Sequence, residues 1–324
     1  MNDKQIFTII QLGNDQLTSK ATYYPNELRK YNIETFYFSE DRSGLSKDTI
    51  KEERLEAMIA PKSLIARWVK LFLLFVEKKP ISIELYLSQR PWHLFYYYLL
   101  ARFFGSRIII WCRGELRNYF THHPLRRLTN KFLLKNADHI LLRELYMKEV
   151  LQKADIYKEE KTTFFPNAIP IKEVLNVSNY NSKNVLFLNS FKRFRNVELI
   201  IEAAEILNNK LPDIKFKIVG STFDNEGYSP SKKDYEIFLR DLVHQKKLDS
   251  VVTFYPFSSD RFKYFEDAFV FVLPADIVFC NYSLLEAMSQ KIPAIVADTE
   301  GSDLIVDNKK SGFIVEKIPA KIAE

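Results

Sequence analysis

FVFVLPADIVFCNYSLLEAMSQKIPAIVA, residues 269–297, carries the pattern that decides the architecture. An apolar run rich in valine and phenylalanine stops at Pro274, an irregular stretch follows, and a helical pattern begins at Ser283. A second short apolar run, IPAIVA at 292–297, closes the piece. Two buried-type strands joined through a helix within this span form a βαβ unit, which requires the strands to be parallel. The helix itself reads as core, yet it holds one carboxylate, Glu286. Ser283 three residues earlier makes S-x-x-E, so one reading is a capping box with Ser283 as N-cap, worth roughly 1 kcal/mol. The other is a ligand role: the amides of residues 281–284 hold a phosphate or sugar oxygen, and Glu286 takes a ribose diol with its two acceptor oxygens.

The same alternation runs outward in both directions. Toward the carboxyl end, GFIVE at 312–316 supplies a further strand. Upstream lie NVLFL (184–188), the helix VELIIEAAEILNNK (197–210), IKFKIVG (214–220), a helix near 232–247 and VVTFY (251–255). The first half repeats it with strands at 6–12, 33–38, 81–87, 107–112, 139–143 and 162–166, and helical stretches at 63–79, 91–104 and 124–136. Near-continuous apolar strands alternating with helices predict parallel sheets covered on both faces. At 324 residues the chain suits two such domains. We place them at 1–170 and 171–324, with the junction in the polar stretch around Pro170.

Composition narrows the class. A hydrophobic content of 47% with 27% charged residues marks a folded soluble protein. Two distant cysteines, Cys112 and Cys280, give neither a disulfide framework nor a metal-ligand spacing. The start, MNDKQIFTII, lacks the features of a signal peptide, and the longest clean apolar run, LFLLFV at 71–76, falls far short of a membrane span. A cytoplasmic protein, with peripheral placement on the inner face of the membrane as an option, is expected. Residues 61–140 hold 14 Lys and Arg against 4 Asp and Glu, together with all three tryptophans and FYYY at 95–98. Such a stretch suits an anionic membrane surface; the plainer account is that these cations solvate the outer faces of helices. No RNA-reading motif, zinc finger or basic repeat accompanies it, so nucleic acid is not expected as a partner. No G-x-G-x-x-G follows the first strand, where QLGNDQLTS keeps only Gly13, which argues against a nicotinamide dehydrogenase. D-x-D is absent too, so no metal site is expected.

Two further segments could bind an anion. FKRFRN, 191–196, follows a strand and opens a helix, where free amides and the helix dipole favour negative charge. Arg193 and Arg195 could add bidentate contacts to a diphosphate; otherwise this is a solvated basic turn. VGSTFD, 219–224, ends the next strand; Gly220 permits close approach of a ligand and Ser221 or Thr222 a hydrogen bond, although a strand-ending glycine explains the pattern as well. On the first domain, WCRGELRNYF, 111–120, puts Arg113 and Glu115 after a strand end, with His122 and His123 nearby.

Together these stretches resemble GT-B glycosyltransferases, specifically the retaining family 4. NSFKRFRN at 189–196 stands where that family has G-R-L-x-x-x-K-G, with Arg195 in place of its lysine and Ser190 in place of its arginine. VLPADIVFCNYSLLEAMSQKIPAIVA is similar to the family's donor-site strand, loop and helix, and NAIP at 167–170 to its interdomain signature. KNADHILLRELYMKEVL, 135–151, looks like its last helical unit before the crossing. The resemblance implies two Rossmann-like doubly wound domains facing a cleft, acceptor side first and donor side second. It implies transfer of a sugar from a nucleoside diphosphate sugar to the hydroxyl of a glycan or lipid-linked acceptor, with retention and with no cofactor. It assigns Glu286, Arg195 and Arg193 to catalysis, and Ser190, Gly220, Ser221, Asn281, Tyr282, Ser283 and Leu284 to the donor. Gly13, Arg113 and Glu115 fall to the acceptor side or a phosphate. Bacterial cell-surface polysaccharide or lipopolysaccharide synthesis is the setting it suggests.

The departures are specific. The family's first glutamate, eight residues before Glu286, is replaced by Val278; Asp276 or Asn281 is the expected substitute. The glycine ahead of its Pro-Val strand is expected at Ile292, and its G-G-x-x-E becomes EGSDL at 300–304. Its C-terminal helices have no counterpart beyond KIPAKIAE, which suggests a shortened chain. A catalytically weak or inactive relative, binding sugar nucleotides or assisting an assembly, is therefore the alternative.

Overall fold

Every strand pairing among the described residues is parallel, as near-continuous apolar strands demand. The computed structural model describes residues 6–12, 19–39, 56–61, 63–87, 93–112, 116–121, 123–169, 182–220, 230–256 and 261–324. The chain divides into two units, Met1–Pro166 and Asn167–Glu324, a few residues before the boundary expected from the sequence.

The first unit contains β1 (Ile6–Leu12), α1 (Ser19–Arg29), β2 (Ile33–Ser39), β3 (Glu56–Ile59), α2 (Leu64–Lys78), β4 (Ser82–Tyr86), α3 (Leu94–Phe103), β5 (Arg107–Cys112), α4 (Asn118–Thr121), α5 (Pro124–Lys135), β6 (His139–Leu142), α6 (Tyr146–Lys153) and β7 (Thr162–Phe164). Its sheet order is β3-β2-β1-β4-β5-β6-β7. Alternation along β4 separates the two faces. Ile83 and Leu85 enter a core shared with Leu71, Leu74 and Phe75 of α2, Tyr97 and Leu100 of α3, and Leu133 and Leu134 of α5. Ser82, Glu84 and Tyr86 point the other way, where the sheet is polar and aromatic. There Ser82 Oγ donates to Thr8 Oγ1 at 2.9 Å, and Tyr86 stacks on Trp111.

The second unit contains β8 (Asn184–Leu188), α7 (Val197–Asn208), β9 (Lys215–Val219), α8 (Pro230–Gln245), β10 (Val252–Tyr255), β11 (Ala268–Leu273), α9 (Tyr282–Ser289), β12 (Ala294–Ala297), β13 (Gly312–Val315) and α10 (Pro319–Ala323). Its order, β10-β9-β8-β11-β12-β13, reverses direction between β8 and β11. That is the topological switch point, where loops leaving the carboxyl ends of two neighbouring strands diverge and open a ligand crevice. Phe187, Phe271, Leu273 and Val296 fill the core of this sheet, and Leu284 and Ala287 of α9 pack into it. The apolar character of α9 is thus that of a helix buried nearly all round. Both cysteines are buried thiols, and burial pushes Cys112 up to about 12.

Two local expectations are corrected. The glycine-like position ahead of β12 is Lys291, with φ of 60°, whereas Ile292 is a buried core residue. The N-cap of α9 is Asn281, in an extended conformation, with its Oδ1 accepting from the Ser283 amide at 3.1 Å. Ser283 lies inside the first turn, so it cannot form a capping box with Glu286.

Candidate functional site

Two loops meet at the β8–β11 switch point. After β8 the chain forms a short 3-10 turn at Arg193–Arg195 and enters α7 through Asn196, whose left-handed backbone (φ 52°) asparagine tolerates better than most residues. After β11 the chain runs from Pro274 to Asn281 and enters α9. Side chains and backbone tie the loops together. Asn189 Nδ2 donates to Asn281 Oδ1 at 3.1 Å, while Asn189 Oδ1 accepts the Ser190 amide at 2.9 Å. Arg195 Nη1 donates to the Ile277 carbonyl at 3.1 Å, its guanidinium lying over the Phe194 ring. Asn196 Nδ2 bonds both the Pro274 carbonyl (2.8 Å) and Asp276 Oδ1 (2.9 Å), and the Asp276 amide donates to Phe194 O.

The structure therefore brings Ser190, Arg195 and Asn281 into one hydrogen-bonded junction. Arg193 turns elsewhere and packs over the Tyr235 ring of α8, 5.1 Å from its centre. The Tyr235 hydroxyl donates to Glu198 and accepts the Val197 amide; burial, then the Glu198 contact, pushes its ionisation above the ordinary tyrosine value. Gly220 closes β9 against the protein itself, since a Cβ there would stand 2.0 Å from the Asn189 carbonyl. Its lack of a side chain serves the packing of two strand ends and not the close approach of a ligand.

Glu286 is 3% exposed and clasped by Arg261. Arg261 Nε lies 3.0 and 2.9 Å from the two carboxylate oxygens, and Nη2 also donates to Oε1. A buried carboxylate needs such a partner, because desolvation would otherwise strongly oppose its charge. Glu286 thus anchors an ion pair, and a carboxylate's four or so acceptor sites are only partly consumed by it.

Val278 is fully buried in the core, so its position holds no carboxylate. Of the expected substitutes, Asn281 caps α9, and Asp276 accepts from Asn196 and from Lys317 Nζ at 2.7 Å. Burial opposes the Asp276 charge, but those two hydrogen bonds outweigh it and hold the carboxyl below its usual range. Asn167, the first residue of NAIP, donates to the Cys280 carbonyl at 2.8 Å. Cys280 has a φ of 46°, so Asn167 steadies the strained corner that aims the chain into α9. Sequence reading assigned no part to Asn167, Asn189 or Arg261. An asparagine directly after a strand was the one legible signal; Arg261, 25 residues before Glu286, carries none.

Gly13, Arg113, Glu115, Ser221, Thr222 and His122 lie outside the described residues. His123 caps α5, its Nδ1 accepting the Leu125 amide at 3.2 Å. On the polar face of the first sheet, Glu84 is 2% exposed and accepts from the Tyr24 hydroxyl (2.8 Å) and Trp111 Nε1 (2.7 Å). Burial, reinforced by Glu84, holds the Tyr24 phenol far above the ordinary value.

The doubly wound order, the second parallel sheet and the switch-point loops define a GT-B fold. The model of the family Glycosyl transferases group 1 matches residues 171–324, just under half of the chain. The chain is 20% identical over 304 residues to an "uncharacterized glycosyltransferase" of Haemophilus influenzae, covering 93% of this chain and 73% of that one. Among solved structures it is similar to Anabaena HepE in complex with UDP: TM-score 0.77, 12% identity, 98% of this chain and 88% of that one. It is also similar to the lipopolysaccharide outer core galactosyltransferase WaaB: TM-score 0.61, 16% identity, 97% and 87% coverage.

Proposed function

We propose that the protein is a retaining glycosyltransferase that moves a sugar from a nucleoside diphosphate sugar to a hydroxyl of a glycan or lipid-linked acceptor. The observation that carries this reading is the junction at the β8–β11 switch point. There Arg195, the Asn189–Asn281 bond and the start of α9 converge within the span that the Glycosyl transferases group 1 model matches. In the reaction the bond between the anomeric carbon and the diphosphate oxygen breaks, its electron pair leaving with the diphosphate. A bond from the acceptor oxygen to the same carbon forms on the face the diphosphate leaves, and the acceptor hydroxyl's proton passes to the departing diphosphate oxygen. Negative charge therefore grows on the leaving diphosphate, and fixed cationic donors beside it lower the barrier. Arg195 fills that role, and the helix dipole at the start of α7 adds to the effect; Arg193, which the sequence pairs with it, is held over the Tyr235 ring instead. Ser190 and residues 281–284 contact the donor, and Glu286 receives the ribose diol on the acceptor sites its arginine leaves. Gly13, Arg113 and Glu115 serve the acceptor side or its phosphate. With Arg195 and the backbone amides at the start of α9 offered to the diphosphate, no metal or other cofactor is part of this proposal.

The UDP complex of the HepE fold and the activity named for WaaB support a nucleotide sugar as donor and bacterial cell-surface polysaccharide or lipopolysaccharide as the product class. Such acceptors lie at the inner face of the cytoplasmic membrane, where a peripheral protein would meet them. A thermal-shift screen of UDP-, GDP- and dTDP-sugars tests the donor, since a bound nucleotide raises the melting point by mass action. Glu286→Gln is expected to weaken the selected donor about tenfold, read by calorimetry well below the melting point. Unchanged affinity would reduce Glu286 to an anchor for Arg261. Product configuration follows from NMR of the new glycosidic bond, and inversion would overturn retention. Val278 favours a second reading, a catalytically weak relative that binds sugar nucleotides or assists an assembly; donor binding without turnover would select it.

A further inference from the structure

In most amphipathic helices one face is apolar and the other polar; α2 is apolar on both. Leu71, Leu74 and Phe75 are buried in the core of the first unit. On the outside, Ile65 (73% exposed), Trp68, Val69, Phe72, Leu73 and Val76 stand in solvent. The two neighbouring helices that pack into the same core continue the surface. Phe95, Leu99 and Phe103 (77% exposed) form an i, i+4, i+8 stripe on α3; Leu125, Leu128 and Phe132 form an i, i+3, i+7 stripe on α5. Aromatic contacts weld the three stripes together. Trp68 stacks on Tyr96 at 4.8 Å, Phe72 meets Phe104, and Phe95 meets Phe132 at 5.6 Å. Single exposed apolar residues need no explanation, but a contiguous face of this extent marks an interaction surface.

Charge identifies the occupant. The segment 61–140 that builds this face holds 14 Lys and Arg against 4 Asp and Glu, while the rest of the chain holds 33 against 37. Of the four acids, Glu84 is buried on the far face of the sheet and Asp138 is paired with Arg102. Lys70, Arg127 and Lys131 belong to the same helices as the apolar stripes. A second copy of the chain would bring two like-charged rims together. No described helix is long and apolar enough to cross a membrane, and α2 has 15 residues against the roughly 20 a span requires. An apolar helix flanked by cations and too short to span lies in the plane of an anionic interface.

We propose that the outer face of α2, α3 and α5 docks on an anionic lipid bilayer, with the side chains of Ile65, Trp68, Val69, Leu73 and Phe103 entering the headgroup–acyl boundary. The proposal deepens the membrane placement given above, but its test needs no sugar donor, so either reading can fail without the other. The full chain is sedimented with vesicles of phosphatidylcholine alone and of phosphatidylcholine with about one-third phosphatidylglycerol. Partition is expected only or mainly into the latter, weakening as salt rises. The double variant Ile65→Glu/Leu73→Glu alters exposed positions; circular dichroism checks that it stays folded. It is expected to lose about tenfold or more of the vesicle partition. Trp68 reports depth: the fluorescence difference between wild type and Trp68→Phe should shift to the blue on anionic vesicles and be quenched by brominated lipid. No partition, a variant that partitions like wild type, or a Trp68 signal untouched by lipid each overturns the proposal. So does a lipid-free dimer, seen by light scattering, that the double variant turns into a monomer, because the face would then belong to a second copy.

Discussion

Among the described residues each unit buries one carboxylate, and the two are held in opposite ways. Glu84, in the middle of β4, accepts from a phenol and an indole. Glu286, in α9, is gripped by a guanidinium. Tyr24 and Trp111 supply oriented dipoles and carry apolar bodies that pack into the sheet face, with Phe165 in edge contact with both. That arrangement fixes α1 onto the sheet and suits a structural purpose. Arg261 supplies a full opposite charge from a side chain that is itself a quarter exposed. The second pair is anchored in the core at one end and reaches solvent at the other. The difference separates a carboxylate held by neutral donors from one held by a full charge; under the proposed function the first holds the fold and the second also meets the donor.

Substitutions can break this contrast in descending order of effect. Glu286→Ala strands Arg261 and is expected to cost roughly 3 kcal/mol of stability. It should also weaken the donor by more than the tenfold expected for Glu286→Gln, and calorimetry beside urea melts would read both. Glu84→Ala removes the acceptor for two buried donors and is expected to cost about 2–3 kcal/mol. Donor affinity should stay unchanged; a donor effect as large as that of Glu286→Ala would erase the distinction. Asn281→Ala deletes the α9 cap, for about 1 kcal/mol, and Asn167→Ala should cost a similar amount by releasing Cys280. Both should also loosen donor binding slightly.

Two pH effects follow from the shifted groups. Tyr24 has a raised value in the folded protein, so its contribution is complete below about pH 10, the ordinary tyrosine value, and fades as the unfolded chain ionises above it. Tyr24→Phe should flatten that alkaline decline in melting temperature. Asp276 has a lowered value, so its contribution is present above about pH 3.9 and is lost as pH falls through the folded value. Lys317→Met should reduce that small acid-side slope, leaving the Asn196 contact in place. A wild-type slope unchanged in this variant would mean the Lys317 contact carries no stability.

The strands of the second unit were plain in the sequence because buried parallel strands are continuous apolar runs; NVLFL and the observed β8 coincide, Asn184–Leu188. β3 was missed because it is a four-residue edge strand, EAMI, following the charged run KEER. α1 was missed because Pro25 sits inside it. At the site, Glu286 stood out as a carboxylate in an apolar helix, but its partner could not, since an ion pair across 25 residues leaves no periodic trace. Assigning the cap to Ser283 failed by two residues because both serine and asparagine cap well, and only the backbone geometry chooses between them.

The switch point has a further consequence for how the chain is made. β8 pairs with β9 and with β11, but β11 begins at Ala268, long after β8 ends at Leu188. A ribosome adding about 5–20 residues each second takes several seconds to cover that interval. Throughout it, one edge of β8, made of NVLFL, has its hydrogen-bonding groups unmet by the strand that will cover them. The switch point of the finished protein is thus, during synthesis, an apolar strand edge left uncovered until β11 emerges.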